Sequence, residues 1–277
     1  MTINCNGQLV DLNTPKVMGI LNVTPDSFFD GGRYTSDVAF LKQAESMIAN
    51  GAQFIDIGGY SSRPGADDIT EEEELKRTVR ATEAIRRHFP EVLISIDTFR
   101  SKVAEANINA GAALINDISG GTLDEGMIPT AGKLGVPYIM MHMKGTPQTM
   151  KSLNQYDDLL KEMTYFFSQQ IAKARDHKVN DVIIDPGFGF AKNIEQNFHL
   201  LKHMDHLKIL DKPILAGISR KSMIYKTLDI TPDEALNGTT VLNTLCLEKG
   251  ANILRVHDVK EAVECVKLWE RVTGSSE

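Results

Sequence analysis

Short runs rich in Ile, Val and Leu recur along the chain, and most are followed by a longer stretch whose apolar residues fall at helical spacing. The runs lie near Lys16 to Asn22, Phe54 to Gly58, Leu93 to Asp97, Leu114 to Asp117, Tyr138 to Met141, Val182 to Asp185, Pro213 to Ala216 and Ile253 to Val256. Helical period marks Val38 to Asn50, Glu71 to Phe89, Arg100 to Ala110, Tyr156 to His177 and Thr231 to Lys249. The runs are continuously apolar rather than alternating, as strands buried on both faces are. This succession of strand and helix predicts an α/β fold, a (β/α)8 TIM barrel, with an open doubly wound sheet as the alternative. Ahead of the first run, INCNGQLVDL sets Asn6-Gly7 between two short alternating segments, the pattern of a tight hairpin. Residues 1–14 are expected to close the bottom of the barrel, and residues 1–277 to form one domain. Thr70 followed by Glu73 reads as a capping box, which makes the acids from Asp67 to Glu74 the start of a helix.

The polar residues sharpen this picture. Asn22, Asp56, Asp97, Asn116, Asp117, His142, Asp185, Ser219, Arg220, Lys221, Arg255 and His257 all fall at or just beyond the ends of the apolar runs. A barrel of this kind builds its active site on that rim, so the clustering points to a functional mouth. The first rim loop continues through Thr24, Asp26, Ser27 and Asp30 with two phenylalanines, Phe28 and Phe29, the composition of a surface loop that closes over something.

Composition narrows the chemistry. A net charge of −7 argues against a nucleic-acid partner and makes any basic cluster informative. No apolar run approaches the ~20 residues of a membrane span, and the first residues lack a basic and then apolar leader, so a cytoplasmic protein is expected. Cys5, Cys246 and Cys265 are odd in number and widely spaced, which suggests reduced thiols rather than disulfides or a zinc site. HExxH and Gly-x-Ser-x-Gly are both absent, and the Gly-x-Gly of GFGFAK lacks the rest of a dinucleotide fingerprint.

Three constellations remain. Asp56, Asp97 and Asp185 each end an apolar run; Asp185 is the strongest ligand candidate, because Pro186 and Gly187 turn the chain away behind it. A carboxylate there suits a heterocycle presenting adjacent N–H donors, and Asn116, which donates and accepts, suits another edge of the same ring. Arg220, Lys221, Arg255 and His257 form a basic group where barrels often bind phosphate, the alternative being that they pair with the rim aspartates. Asn22 could offer a neutral oxygen to an accompanying Mg²⁺. On the second loop Ser61, Ser62, Arg63 and Pro64 place a guanidinium fork, suited to carboxylate or phosphate, on a stiffened turn.

These residues sit in motifs. GILNVTPDSFFDGG, DIGGYSSRPGA, SIDTFR, LINDISGG, DPGFGFAK, GISRKSMI and ILRVHDV, in that order, resemble the dihydropteroate synthase family over nearly the whole chain. The resemblance implies a (β/α)8 barrel, commonly a homodimer, that uses Mg²⁺ to join a pterin methyl-pyrophosphate to 4-aminobenzoate. It implies that Asp97, Asn116, Asp185 and Lys221 hold the pterin, and that Asn22 ligates Mg²⁺ with a pyrophosphate that Arg255 and His257 also contact. It assigns the aminobenzoate pocket to Ser62, Arg63, Pro64, Phe28, Phe190, Lys221 and Ser222, and chemistry to Asp97, Lys221, Arg255 and His257. The second loop departs from the family's usual Glu-Ser-Thr-Arg-Pro, carrying Tyr60 for the acid and Ser62 for the threonine. A pterin-binding methyltransferase barrel, or a pterin-binding barrel without activity, are the competing readings.

Overall fold

The computed structural model describes residues 1–24, 33–60 and 69–274; for residues 33–37 and residue 151 it describes the backbone alone. Phe28, Ser62, Arg63 and Pro64, together with most of the first and second rim loops, lie outside the described residues.

Two short strands, β1 (Thr2–Cys5) and β2 (Gln8–Asp11), form the hairpin that Asn6-Gly7 foretells. Both turn residues take positive φ, 53° and 86°, the left-handed pair that a two-residue hairpin turn demands. Ile3, Cys5, Val10 and Leu12 of this hairpin pack on Met18, Phe54, Leu93, Leu114, Ile139, Ile183, Leu215 and Ile253. These residues open or nearly open eight further strands, so the hairpin covers the end at which those strands begin. Asn252 Nδ2 donates to Leu12 O at 2.9 Å and Asn4 N donates to Asp181 Oδ2 at 2.9 Å, fastening the cover.

The eight strands are β3 (Lys16–Asn22), β4 (Phe54–Gly58), β5 (Leu93–Asp97), β6 (Leu114–Asp117), β7 (Tyr138–Met141), β8 (Val182–Asp185), β9 (Leu215–Ala216) and β10 (Ile253–Val256). All pair in parallel, in the order β8-β7-β6-β5-β4-β3-β10-β9. A single parallel bridge between Ile184 and Ile214 joins the two ends and closes the barrel. That seam is thin because Pro213 has no N–H to give; its carbonyl accepts from Ile184 N at 2.9 Å, while Ile214 N turns to the side chain of Asn252. The run expected from Pro213 is therefore ladder only at Leu215–Ala216.

Nine helices are described around the sheet: α1 (Arg33–Ala49), α2 (Glu71–His88), α3 (Ser101–Asn109), α4 (Met127–Leu134), α5 (Leu159–Asp176), α6 (Ile194–Lys202), α7 (Ser222–Tyr225), α8 (Leu236–Glu248) and α9 (Val259–Thr273). Local chemistry sets their starts. Asp158 caps α5 by accepting from Lys161 N at 3.1 Å, which delays the helix beyond Tyr156. Glu234 accepts from the backbone N and hydroxyl of Thr231, so residues 231–235 form a turn and α8 begins later than expected. At α2 only half of the capping box forms: Thr70 accepts from Glu73 N, but the Glu73 carboxylate goes to Arg77 at 2.8 Å. The reciprocal box occurs instead at α6, between Asn193 and Gln196. The main core lies between sheet and helices and includes Leu21, Ile57, Ile96, Ile115, Met140, Ile184 and Leu254. No helix among the described residues is long and apolar enough to cross a membrane.

Candidate active site

Strand alternation sorts each run into an outward and an inward lane. Inward lanes begin apolar beside the hairpin and turn polar toward the other end: Phe54, Asp56 and Gly58; Leu93, Ser95 and Asp97; Leu114 and Asn116; Ile183 and Asp185; Ile253 and Arg255. Register makes the polar end a surface. Asn22 pairs with Gly58, Gly58 with Asp97, and Asp97 with Asn116, a row that crosses four neighbouring strands. The same alternation turns Asp117 outward. There it braces the β6–α4 connection, accepting from Tyr138 Oη at 2.6 Å, Gly121 N at 2.7 Å and both the N and Oγ of Ser119 at 2.7 Å. Asp117 is a structural residue rather than part of the mouth.

Arg255 crosses the interior. Its Nε lies 2.6 Å from Asp56 Oδ2 and its Nη2 lies 2.6 Å from Asp97 Oδ2. Asn116 Nδ2 donates to the same Asp56 oxygen at 3.0 Å, while Asp56 Oδ1, fully buried, meets no hydrogen-bond partner among the described residues. Burial pushes the Asp97 carboxyl well above the usual carboxylate range, and the Arg255 guanidinium pulls it back. Of the two readings for this cation, pairing with rim aspartates is what the structure displays. Arg220 is also committed elsewhere: its guanidinium takes both oxygens of Asp258 at 2.8 Å and the carbonyls of Pro232 and Asp233. It anchors the β9–α7 connection.

Two further groups stand beside this cluster. Asp185 is 5% exposed, and its Oδ1 accepts from Gly187 N at 2.8 Å, the turn that Pro186-Gly187 suggested. Burial raises its carboxyl above the usual range, with Lys221 the largest opposing charge. Lys221 reaches across to the carbonyl of Phe188, and its ammonium lies 4.6 Å from the ring centroid of Phe190. Burial lowers it to about 8, held up mainly by Asp185. Ser222, next in the chain, opens α7 half-buried. His257 is exposed beyond β10, with Nδ1 3.1 Å from Ser219 Oγ.

Space at the mouth is made by glycine. A Cβ on Gly217 would sit 3.9 Å from both Asp185 Oδ2 and Arg255 Cβ, and one on Gly58 would sit 3.4 Å from Asn22 Oδ1 and 3.7 Å from Asp97 Oδ2. Side chains at either place would stand among the polar groups just described. The cluster therefore gathers carboxylates, two amides and two cations at the mouth, groups able to hold a polar flat ring together with an anion.

His142, expected at the rim, is instead 2% exposed and packed edge-on against Phe166 of α5 at 5.1 Å. Sequence reasoning gave no role to Lys192, which meets His142, and did not single out Asp56 among the rim aspartates that Arg255 could pair with. Tyr60, at the start of the second loop, is also buried; Gln148 Nε2 donates to its hydroxyl at 2.6 Å, and its ring meets Phe99 edge-on at 5.2 Å. The loop's first residue is thus tied to the connections after β5 and β7.

Residues 18–257 match the family of pterin binding enzymes. Dihydropteroate synthase of Escherichia coli is 42% identical over 280 residues, covering 100% of this chain and 98% of its own. The dihydropteroate synthase of Yersinia pestis, solved in complex with a sulfonamide drug, superposes with a TM-score of 0.93 at 41% identity, covering 99% of this chain and 100% of that one. That of Xanthomonas albilineans, solved with 4-aminobenzoic acid, gives 0.91 at 36% identity over 98% of both chains. With a family match over residues 18–257, relatives of this identity and coverage and a shared barrel, the chain belongs to the dihydropteroate synthase family of pterin-binding transferases.

Proposed function

We propose that this chain condenses 6-hydroxymethyl-7,8-dihydropterin pyrophosphate with 4-aminobenzoate, giving 7,8-dihydropteroate and pyrophosphate in folate biosynthesis. The observation that carries the proposal is the convergence of Asn22, Asp97, Asn116, Asp185, Lys221 and Arg255 around Gly58 and Gly217 at the barrel mouth.

Asp185 and Asp97 offer carboxyl oxygens to the ring N–H groups of a pterin, each such bond contributing roughly 1.5–3 kcal/mol when the carboxyl is ionised, and Asn116 and Lys221 take its acceptor edge. Arg255 and His257 meet the pyrophosphate, for which Arg255 exchanges its hold on the aspartates. The C–O bond at the exocyclic methylene breaks with its electron pair leaving on pyrophosphate, and the amine of 4-aminobenzoate then bonds to the methylene and loses a proton. Preorganised cations where the leaving-group charge develops are the main catalytic contribution of the chain. Lys221, Ser222 and Phe190 flank the incoming aromatic ring; Phe28, Ser62, Arg63 and Pro64 complete that pocket in this reading.

The donors fit a magnesium ion that keeps most of its ligands from pyrophosphate and water. Asn22 presents a neutral hard oxygen beside Asp97, and no group of three or more His, Cys, Asp or Glu side chains that could cage a metal occurs among the described residues. Bound there, Mg²⁺ would neutralise the departing pyrophosphate. A homodimer is supported by exposed apolar pairs one turn apart on packed helices, Val241 and Leu245 on α8 and Leu268 and Val272 on α9. Three buried free cysteines support a reducing, cytoplasmic setting.

The test is mass-spectrometric detection of 7,8-dihydropteroate from the pterin pyrophosphate, 4-aminobenzoate and Mg²⁺, each omitted in turn. Product that needs both substrates supports the synthase reading. Pterin binding without product favours a methyltransferase or a non-catalytic binder.

A further inference from the structure

Behind the loop that follows β8, a lysine is buried that pairs with no acid among the described residues. Lys192 is 9% exposed, and no ion pair between it and a carboxylate is found among the described residues. Its Nζ donates instead to three backbone carbonyls on two connections: Gly187 O at 3.0 Å, Phe190 O at 2.9 Å and His142 O at 3.4 Å. The fourth neighbour is His142 Nδ1 at 3.2 Å. Burial with the nearby lysines holds His142 well below its usual range, so the ring is neutral and can accept from an ammonium.

The loop this lysine holds has a demanding backbone. Gly187, Gly189 and Ala191 take φ of 67°, 80° and 50°, three left-handed residues at alternate positions, one of which carries a Cβ. A Cβ on Gly187 would lie 2.3 Å from His142 O, so the two connections touch backbone to backbone. Side chains take nearly every carbonyl along it: Lys192 those of Gly187 and Phe190, Lys221 that of Phe188, Tyr156 that of Ala191 and Asn197 that of Lys192. Lys221 pulls from the mouth and Lys192 from the α5 side. Between them the loop presents two groups to the mouth, Asp185 through the Gly187 N bond and Phe190 under the Lys221 ammonium.

Burying an ammonium is costly, and filling this space with an apolar side chain would avoid that cost. A lysine here is explained by the carbonyls it gathers. We propose that Lys192 is a positioning residue, which from outside the barrel fixes the Asp185–Phe190 backbone and thereby sets affinity for both the pterin and the aminobenzoate without touching either. Burial lowers its ammonium to about 7, with Asp185 the main charge opposing that shift, so Asp185 lies close enough to feel whether Lys192 is charged. The inference rests on the synthase reading for the identity of the two ligands.

The test is Lys192→Met, which keeps the length and removes the donors, with Lys192→Gln as a second variant that keeps two of them. Each is compared with the unaltered chain for folding by circular dichroism, for calorimetric Kd of 6-hydroxymethyl-7,8-dihydropterin, and for kcat and KM of aminobenzoate. At a temperature where all are folded, Lys192→Met is expected to raise both the pterin Kd and the aminobenzoate KM at least about tenfold, with kcat at saturation within about threefold; Lys192→Gln should fall between. Lowered melting temperature or active fraction with unchanged Kd and KM would overturn the proposal, leaving Lys192 a structural residue only. If Lys192→Met does not fold, Lys192→Gln is read by the same criterion. Absence of turnover in the unaltered chain would sink the synthase reading instead, and the calorimetric comparison would still decide whether Lys192 positions Asp185.

Discussion

Nη2 of Arg255 on β10 lies 2.6 Å from Oδ2 of Asp97 on β5, three strands away around the barrel. The pair sits over a second contact between the same guanidinium and Asp56, whose side chain is fully buried. One cation thus balances two carboxylates in the interior of a protein that a pterin and an anion would enter. The guanidinium opposes, without cancelling, the burial that holds the Asp97 carboxyl up at about 7.

Replacing Arg255 with Met should therefore cost stability before it costs chemistry. Breaking a buried pair by removing one partner costs about 3–5 kcal/mol, and the partial exposure of Arg255 favours the lower end. The guanidinium is the largest charge opposing the burial that already pushes the Asp97 carboxyl up, so without it the folded value rises further above the unfolded one. A carboxyl raised in the folded state binds a proton more tightly there, so stability is greatest at low pH and is lost as pH rises through that window. Urea unfolding of Arg255→Met should show its deficit against the unaltered chain shrinking from pH 7 to pH 5.5; a deficit independent of pH would contradict the pairing.

Pterin affinity should have a pH optimum. Asp185 is raised by burial, so acid protonates it and removes its charge; Lys221 is lowered to about 8, so base removes its proton. Calorimetry with 6-hydroxymethyl-7,8-dihydropterin, which has no phosphate to titrate, should give a Kd that weakens on both sides. Lys221→Met should abolish the loss above pH 8 and leave the acid limb. A flat profile would show that neither group meets the ring.

Gly217 supplies room rather than flexibility. Its added Cβ would make ordinary contacts at 3.9 Å, so Gly217→Ala should fold with a melting temperature close to that of the unaltered chain. The methyl group nevertheless stands between Asp185 and Arg255, and pterin Kd should rise about tenfold, about 1.4 kcal/mol. Unchanged affinity would move the ring elsewhere in the mouth.

Much of this was legible from residue order. All eight apolar runs end where strands end, and seven also begin where strands begin, because a strand covered on both faces leaves an unbroken apolar signature that stops at the rim. The row Asn22, Asp97, Asn116 is visible as last or next-to-last residues of successive runs. What sequence cannot display is side-chain pairing across the barrel, since it depends on strand stagger: Asp56 appears equivalent to Asp97, and only geometry makes it the buried anchor of Arg255. Parity decides Asn116 against Asp117, one residue apart and on opposite faces. Lys192 follows a glycine-rich turn, and nothing in residue order foretells that the fold sets it against three carbonyls.

The central claim is that the carboxylate turned into the mouth at the end of β8 reads the pterin ring. Calorimetric titration of 6-hydroxymethyl-7,8-dihydropterin into Asp185→Asn, beside the unaltered chain, tests it most directly. The amide keeps an oxygen for Gly187 N and the volume of the side chain, but loses the charge and offers one acceptor where the ring needs two. A Kd weaker by about a hundredfold, about 2.7 kcal/mol, with the fold intact is the expected result. Affinity within about threefold of the unaltered chain would contradict the account and place the ring on other residues of the mouth.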